Sequence, residues 1–336
     1  MTTLTKIQEN GIVDHCLKNG GSIHPLILSS DITNGTGLMN PSIYVDGDKL
    51  LLNIRHVNYT LYHSEGKTFQ HQYGPLQYIH PEDDIHLRTI NYVCTLTDKL
   101  ELDEVHEVDT SKLDVEPIWD FTGLEDARLV RWDNKLYMCG VRRDTTTNGV
   151  GRMEMSEITI GKTVKEISRV RLPAPKPDTS YCEKNWVPIL DMPYHFVKWT
   201  NPTEVVKVDV NKKTCVTVVL DESKVKYLAA DLRGGSQVIR WGKDQYITLT
   251  HEVNLFKSEV GCKDGAYRHR FILWDNDWNL VKFSPRFSFL AGEIEFCAGA
   301  AIIGEDLIMS FGFQDNAAYL LRMSVDLIND FIAMEK

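Results

Sequence analysis

Residues 121–144 read FTGLEDARLVRWDNKLYMCGVRRD. Glu125, Asp126 and Arg128 open the stretch, an apolar run follows, and the chain reverses at Asp133-Asn134. A second apolar run then returns to Arg142 and Arg143. Short apolar runs joined by an Asp-Asn turn predict a β-hairpin. A solvated hairpin scatters charge along its outer face, whereas here the charges gather at both open ends. Those ends lie side by side, so Glu125, Asp126, Arg142 and Arg143 are expected to be neighbours.

The same unit recurs. PSIYVDGDKLLLNIRHVN precedes it, and WVPILDMPYHFVKWTNP, GSQVIRWGKDQYITLTHEV and GAAIIGEDLIMSFGFQDN follow. Each has a strand, a tight polar turn, a second apolar strand and a polar cluster. The turns fall at Asp46-Gly47, Asp133-Asn134, Asp191-Met192, Gly242-Lys243 and Gly304-Glu305. Their spacing of roughly fifty to ninety residues suits a propeller repeat of ~40–50 residues with insertions. The expected fold is all-β: a single five-bladed β-propeller over 1–336, with blades near 22–95, 96–178, 179–228, 229–286 and 287–336. Helical periodicity is confined to TLTKIQENGIVDHCLKN and SVDLINDFIAMEK, which predict short terminal helices. A β-sandwich, or two stacked β domains with unrelated hairpins, is the competing arrangement.

Composition narrows the function. A net charge of -10 and a pI near 5.6 oppose general nucleic-acid binding, which calls for a basic stripe. No apolar run is long enough to span a bilayer, and the start lacks the apolar core of a signal peptide. Seven dispersed cysteines without a C-x-x-C pair read as free or buried thiols, which makes the cytoplasm the expected compartment.

Several clusters are candidates for chemistry. An acid beside another acid and an arginine suits pKa tuning; it also suits an ion pair that merely satisfies a strand end. In CEKNWVP, Lys184, Asn185 and Trp186 stand just before the third hairpin, where Glu125 and Asp126 stand in the second. A cation, an amide and an indole make a sugar-binding set, unless Trp186 is buried beneath a snorkelling lysine. In DLRGGSQ, two glycines after Arg233 allow close backbone approach or positive φ. His251, Tyr267, His269, Glu295 and Asp315 recur at corresponding places after later strands. HPEDDIH, residues 80–86, reads as an exposed loop and not as a metal site, and neither metal nor cofactor is expected.

The stretch Gly123 to Arg128, GLEDAR, resembles the G-x-E-D-P-R signature of glycoside hydrolase family 130, with Ala127 in place of proline. Asn40-Pro41 and Asp315 also fit that family's pattern, and the related glycosyltransferase family 108 shares the acidic signature. The family consists mostly of β-mannoside phosphorylases, with some hydrolases, on a five-bladed propeller. The resemblance implies that Asp126 is the acid that protonates the leaving oxygen through a sugar hydroxyl, positioned by Glu125 and Arg128. The family's phosphate-binding set has no one-to-one match here; Arg55, Arg142, Arg143 and Lys184 form the expected anion group. The expected partners are a carbohydrate and phosphate or a nucleotide sugar, handled by an inverting phosphorylase or transferase. An inverting hydrolase would instead take its second carboxylate from Glu183, Glu295 or Asp315. A glycan-binding propeller without catalysis is the other class.

Overall fold

The computed structural model describes residues 2–34, 36–63, 76–79, 86–176, 179–222, 225–229, 232–257 and 263–335. Apart from His86, the HPEDDIH stretch lies outside the described residues, as do Asp231 and Cys262.

All five recurrent stretches fold as antiparallel hairpins. Asp133 and Asn134 both take left-handed backbone, at φ 49° and 63°, as a two-residue turn between twisted strands requires. Each hairpin continues into an antiparallel meander. Strands Leu38–Asp46, Lys49–Val57, Leu87–Leu96 and Leu102–Asp109 make the first, and Glu125–Trp132, Lys135–Arg142, Arg152–Ile160 and Val164–Arg171 the second. A two-residue parallel contact between Val108-Asp109 and Val164-Lys165 joins these into one sheet. Val187–Pro188, His195–Thr200, Thr203–Asp209 and Thr214–Asp221 form the third. Arg233–Gly234 and Ile239–Trp241 both pair with Gln245–Lys257, which continues to Lys263–Asp275 and Leu280–Phe283. Glu295–Ile303, Asp306–Phe313 and Ala317–Ser324 make the fifth, whose outer place is taken by Ser22–Leu26 from the other end of the chain.

Each meander shares a dry core with the next. Leu51 and Val93 pack on Leu129 and Met138, and Val130 and Met155 on Trp186 and Phe196. Val197 and Val205 pack on Ile272 and Trp274, and Ile308 and Leu320 on Ile43 and Leu52. Between fourth and fifth, Phe271 and Met309 share their core with Ile7, Ile12, Ile328 and Phe331 of the terminal helices Thr3–Asn10, Ile12–Lys18 and Val325–Ile332. First strands are covered on both faces, which is why residues 127–130 of Glu125–Trp132 are all buried, Arg128 included, instead of alternating in and out.

One polar side chain ties these first strands together. Gln237, fully buried, donates to Ser42 Oγ (3.0 Å), Ile43 O (3.1 Å) and Leu129 O (3.0 Å) and accepts from Ala300 N (3.2 Å). Gly235, two residues earlier, has no room for a side chain: a Cβ there would sit 2.7 Å from Cys297 O. The glycine pair therefore serves close approach and not a positive φ.

Six cysteines are described and all are free. Among the described residues no helix is long and apolar enough to cross a membrane, and no cluster of three or more His, Cys, Asp or Glu has metal-site geometry.

Candidate active site

The charged ends of the hairpins converge on one cleft of about 330 Å³. Asn40 and Arg55 come from the first hairpin, Glu125 and Asp126 from the second, Lys184 and Asn185 precede the third, and Asp315 follows the fifth. Local backbone geometry aims them. A bulge between Cys139 and Val141 shifts the register opposite Glu125, and Gly140 lies so close that a Cβ would meet Glu125 O at 2.4 Å. Asn40, Asp126, Asn185 and Asp315 all hold left-handed backbone, with φ of 45°, 51°, 61° and 50°. Short Asn and Asp side chains tolerate that conformation, and such strain concentrates at functional sites.

Asp126 is the most constrained group. Its Oδ1 accepts from Asn40 Nδ2 at 2.6 Å and from Arg55 at 2.9 Å. Burial alone would raise its pKa. Arg55, Arg128, the Asn40 amide and Lys184 outweigh that and hold it below the ordinary aspartate value. Arg55 also reaches Glu125 at 3.7 Å, Thr89 Oγ1 at 3.1 Å and Tyr59 OH at 3.3 Å. Arg128 is buried behind the cleft and donates to Gly235 O, to Asp126 O and to Asn185 Oδ1. It holds the backbone that presents Asp126.

Asp315 behaves in the opposite sense. Burial, then the negative charges of Asp126 and Glu125, push it up to about 6 against the pull of Arg55 and Lys184. One cleft thus carries a carboxylate held ionised and a carboxyl that keeps its proton more readily. His251 lies stacked on Tyr267 with its Nδ1 buried and unpartnered. Burial, then His269, Lys184, Arg128 and Arg233, keeps it neutral.

A testable consequence follows for Asp315. Its pKa is raised on folding, so between about 3.8 and 6 the folded chain binds the proton more tightly than the unfolded one. Native stability therefore falls as pH rises through that window. Asp315→Asn removes this cost: its melting temperature is expected to exceed that of the unchanged protein at pH 7.5, with the gap closing below pH 4. A variant that melts lower at pH 7.5 would show the carboxylate to be well partnered.

Other expected site residues go elsewhere. Arg142 and Arg143 are consecutive near a strand end, and successive side chains point to opposite faces. Arg143 reaches the cleft, flanked by the Phe121 and Tyr181 rings. Arg142 turns away into a separate cavity, bound to Glu154 at 2.8 Å and Asp144 at 3.4 Å. There Asp144 accepts from Gly123 N at 2.8 Å, so the far end of the hairpin holds the turn that launches Glu125-Asp126. Arg55 is likewise no free anion ligand, because two carboxylates occupy it. Trp186 is 1% exposed, donates to Glu183 and packs on Phe196; it is a core residue and cannot stack on a sugar. Glu295 accepts from the amides of Phe289, Leu290 and Gly292, so it staples a loop and lies outside the cleft. His269 is fully buried, accepts from Cys297 N and is driven to about 3 by burial. Arg233 lies over Trp199 beside the cleft and does not line it. Sequence reading missed Tyr59, Phe121, Ile294 and Phe296, which give the cleft its apolar wall.

No protein-family model and no curated protein matches this sequence. Solved structures do match in shape. A β-1,2-mannobiose phosphorylase from Listeria innocua, in complex with β-1,2-mannobiose, is 12% identical with a TM-score of 0.53, over 93% of this chain and 94% of that one. MPT-4, a mannose phosphorylase from Leishmania mexicana in complex with phosphate ion, is 10% identical with a TM-score of 0.52, over 93% and 92%. A third structure, described with the GH130 family of mannoside phosphorylases containing hydrolases that target β-1,2 mannosidic linkages in Candida mannan, is 11% identical with a TM-score of 0.55, over 87% and 85%.

The chain shares its fold with glycoside hydrolase family 130.

At these identities the likeness is one of fold. It agrees with the GLEDAR resemblance at Gly123–Arg128, and nothing in these names supports the likeness to glycosyltransferase family 108.

Proposed function

We propose that the chain is a carbohydrate-active enzyme, a five-bladed propeller that cleaves a mannosidic bond by inversion with phosphate as nucleophile. The observation that carries this reading is the pairing of a pinned carboxylate, Asp126, with two cations on the same cleft, Arg143 and Lys184. Lys184 is exposed and makes no hydrogen bond or ion pair among the described residues. Phosphate bound there, with Tyr267 and neutral His251 beside it, would face a mannosyl unit held by Asn40, Asn185 and Asp315. A phosphate oxygen forms a bond to the anomeric carbon as the bond to the leaving oxygen breaks. The proton travels from Asp126 through a sugar hydroxyl to that oxygen. Phosphate also offsets Lys184, one of the charges holding Asp126 ionised, so substrate binding raises the Asp126 pKa toward the value an acid needs. The mechanism requires no metal or cofactor.

Asp315 favours a second reading. Two carboxyls with pKa values pushed apart can serve as acid and base, which describes an inverting hydrolase with Asp315 as donor and Asp126 activating water.

The test is to incubate the protein with β-1,2-linked mannobiose and other manno-oligosaccharides, with and without phosphate, and separately with sugar phosphates and nucleotide sugars. Mannose 1-phosphate formed only with phosphate supports phosphorolysis. Equal release of mannose without phosphate establishes hydrolysis, transfer from a nucleotide sugar establishes a transferase, and binding without turnover leaves a lectin. In the phosphorylase, Lys184→Ala is expected to raise KM for phosphate by ~10–100-fold, the worth of one charge-assisted hydrogen bond, with kcat less affected. An unchanged KM for phosphate would move the anion subsite elsewhere.

A further inference from the structure

We propose that the separate cavity entered by Arg142, between the first and second meanders, is a second binding site, for a neutral sugar of monosaccharide size. The cavity holds about 400 Å³, against about 330 Å³ for the cleft, and is in the size range of small-ligand pockets. Its lining has three arginines and three carboxylates, so the charge of the wall sums to zero. Arg88 and Glu107 are exposed. Arg142 is held by Asp144 at 3.4 Å and by Glu154 at 2.8 Å, and Arg169 by Asp114 at 3.1 Å and by Glu166. No buried cation is left over for an anion, and each of these four carboxylates already meets an arginine. An ion entering the cavity would find no partner for its charge, which is costly. The fitting ligand is uncharged.

Two buried polar groups on this wall wait for a partner. Asp144 gives its Oδ2 to Gly123 N and Arg142, while its Oδ1 is buried with no partner. The hydroxyl of Thr122, a buried residue, makes no hydrogen bond among the described residues. A buried acceptor without a donor is costly. Each hydroxyl of a sugar both donates and accepts, so one ring can serve both groups. Buried Val108, Leu124 and Met138 add an apolar floor suited to the C–H face of a pyranose. Water satisfies the polar atoms but gains nothing at that floor, whereas a sugar does both. The cavity and the cleft share a wall. Thr89 lines the cavity, and its hydroxyl accepts from Arg55, which pins Asp126. Nothing in this chemistry depends on phosphorolysis.

The experiment soaks crystals of the protein with D-mannose or D-glucose and titrates the same sugars in solution by calorimetry. Inorganic phosphate and glycine serve as anionic and zwitterionic controls. Sugar density against Asp144, Thr122 and Val108 is expected, with millimolar affinity in solution. Val115 lines the mouth and is 62% exposed, so Val115→Trp narrows the opening without disturbing the core. It should remove one equivalent of bound sugar and leave any equivalent held in the cleft. Asp144→Asn keeps an oxygen for Gly123 N and turns the other acceptor into a donor. It should weaken the cavity site by ~10–100-fold, the worth of a hydrogen bond to a charged group. Melting temperatures close to that of the unchanged protein show that both variants are folded. Stoichiometry separates this site from the cleft: a fall from one equivalent to none would count against sugar binding in the cleft and not against the cavity. Ordered water alone in the cavity, or phosphate or glycine seated there in preference to sugar, overturns the proposal. So does sugar density confined to the cleft, unchanged binding by a folded Val115→Trp variant, or binding at crystal concentration only.

Discussion

Asp126→Asn is expected to lower turnover of a manno-oligosaccharide by at least ~10²–10⁴-fold, the usual worth of acid–base help. Arg55 and Asn40 both address Oδ1 of Asp126, so the amide oxygen of asparagine can keep both bonds. Sugar binding should therefore survive, as isothermal titration would show. What is lost is the charge and the proton. The stability change has a definite sign. A carboxyl whose pKa is depressed on folding stabilises the native state above its unfolded value, about 3.8, and that stability is lost as pH falls through the folded value. The variant should therefore melt below the unchanged protein at pH 7, with the gap closing in acid, which is the reverse of Asp315→Asn. Full activity in Asp126→Asn would reduce that residue to an ion-pair partner of Arg55.

Gln237→Leu should cost on the order of 4 kcal/mol, because each buried hydrogen-bonding group left unpaired costs about 1–3 kcal/mol. The carbonyls of Ile43 and Leu129 and the amide of Ala300 lose this partner together, while Ser42 Oγ keeps the Leu129 N–H, and all belong to the first strands of the first, second and fifth meanders. Urea unfolding monitored by tryptophan fluorescence would measure it. A loss below about 1 kcal/mol would mean that water replaces the amide, since a satisfied buried group carries little net penalty. The effect on the cleft is indirect: Gly235, on the same segment, accepts the bond that fixes Arg128 behind Asp126.

The hairpins were legible in sequence because turn chemistry and short apolar runs are local signals. Asp133-Asn134 announces its own reversal whatever surrounds it. The gathering of Glu125, Asp126, Lys184 and Asp315 was also legible, since each stands at the open end of a hairpin, before its first strand, at its start or after its second. The fate of individual side chains was not. Arg142 and Arg143 look interchangeable in a string of letters, and only the pleat sends one to the cleft and the other to Glu154. Trp186 and Glu295 are residue types found both in sugar sites and in cores, and their neighbours Phe196 and the 289–292 amides decide the matter through contacts made far along the chain. Tyr59, Phe121 and Phe296 gave no signal, because an aromatic that lines a cleft looks like any other apolar residue until its open side is seen. Gln237 hid inside a motif singled out for its glycines.

The pairing of Ser22–Leu26 with Ala317–Ser324 sets a timetable for synthesis. At ~5–20 residues per second, a ribosome needs roughly 15–60 s to make the chain between these two strands. During that interval the first four meanders can fold in turn, while residues 22–26 wait with an open edge and the helices at residues 3–18 lack the Phe311 and Phe331 wall against which they pack. Asp315 also emerges within this last portion, so a nascent chain holding Asn40, Arg55, Asp126 and Lys184 still has an unfinished cleft. Translation that stalls between residues 290 and 315 would leave four meanders with two unsatisfied ends, a species for chaperones to hold and one whose cleft still lacks Asp315.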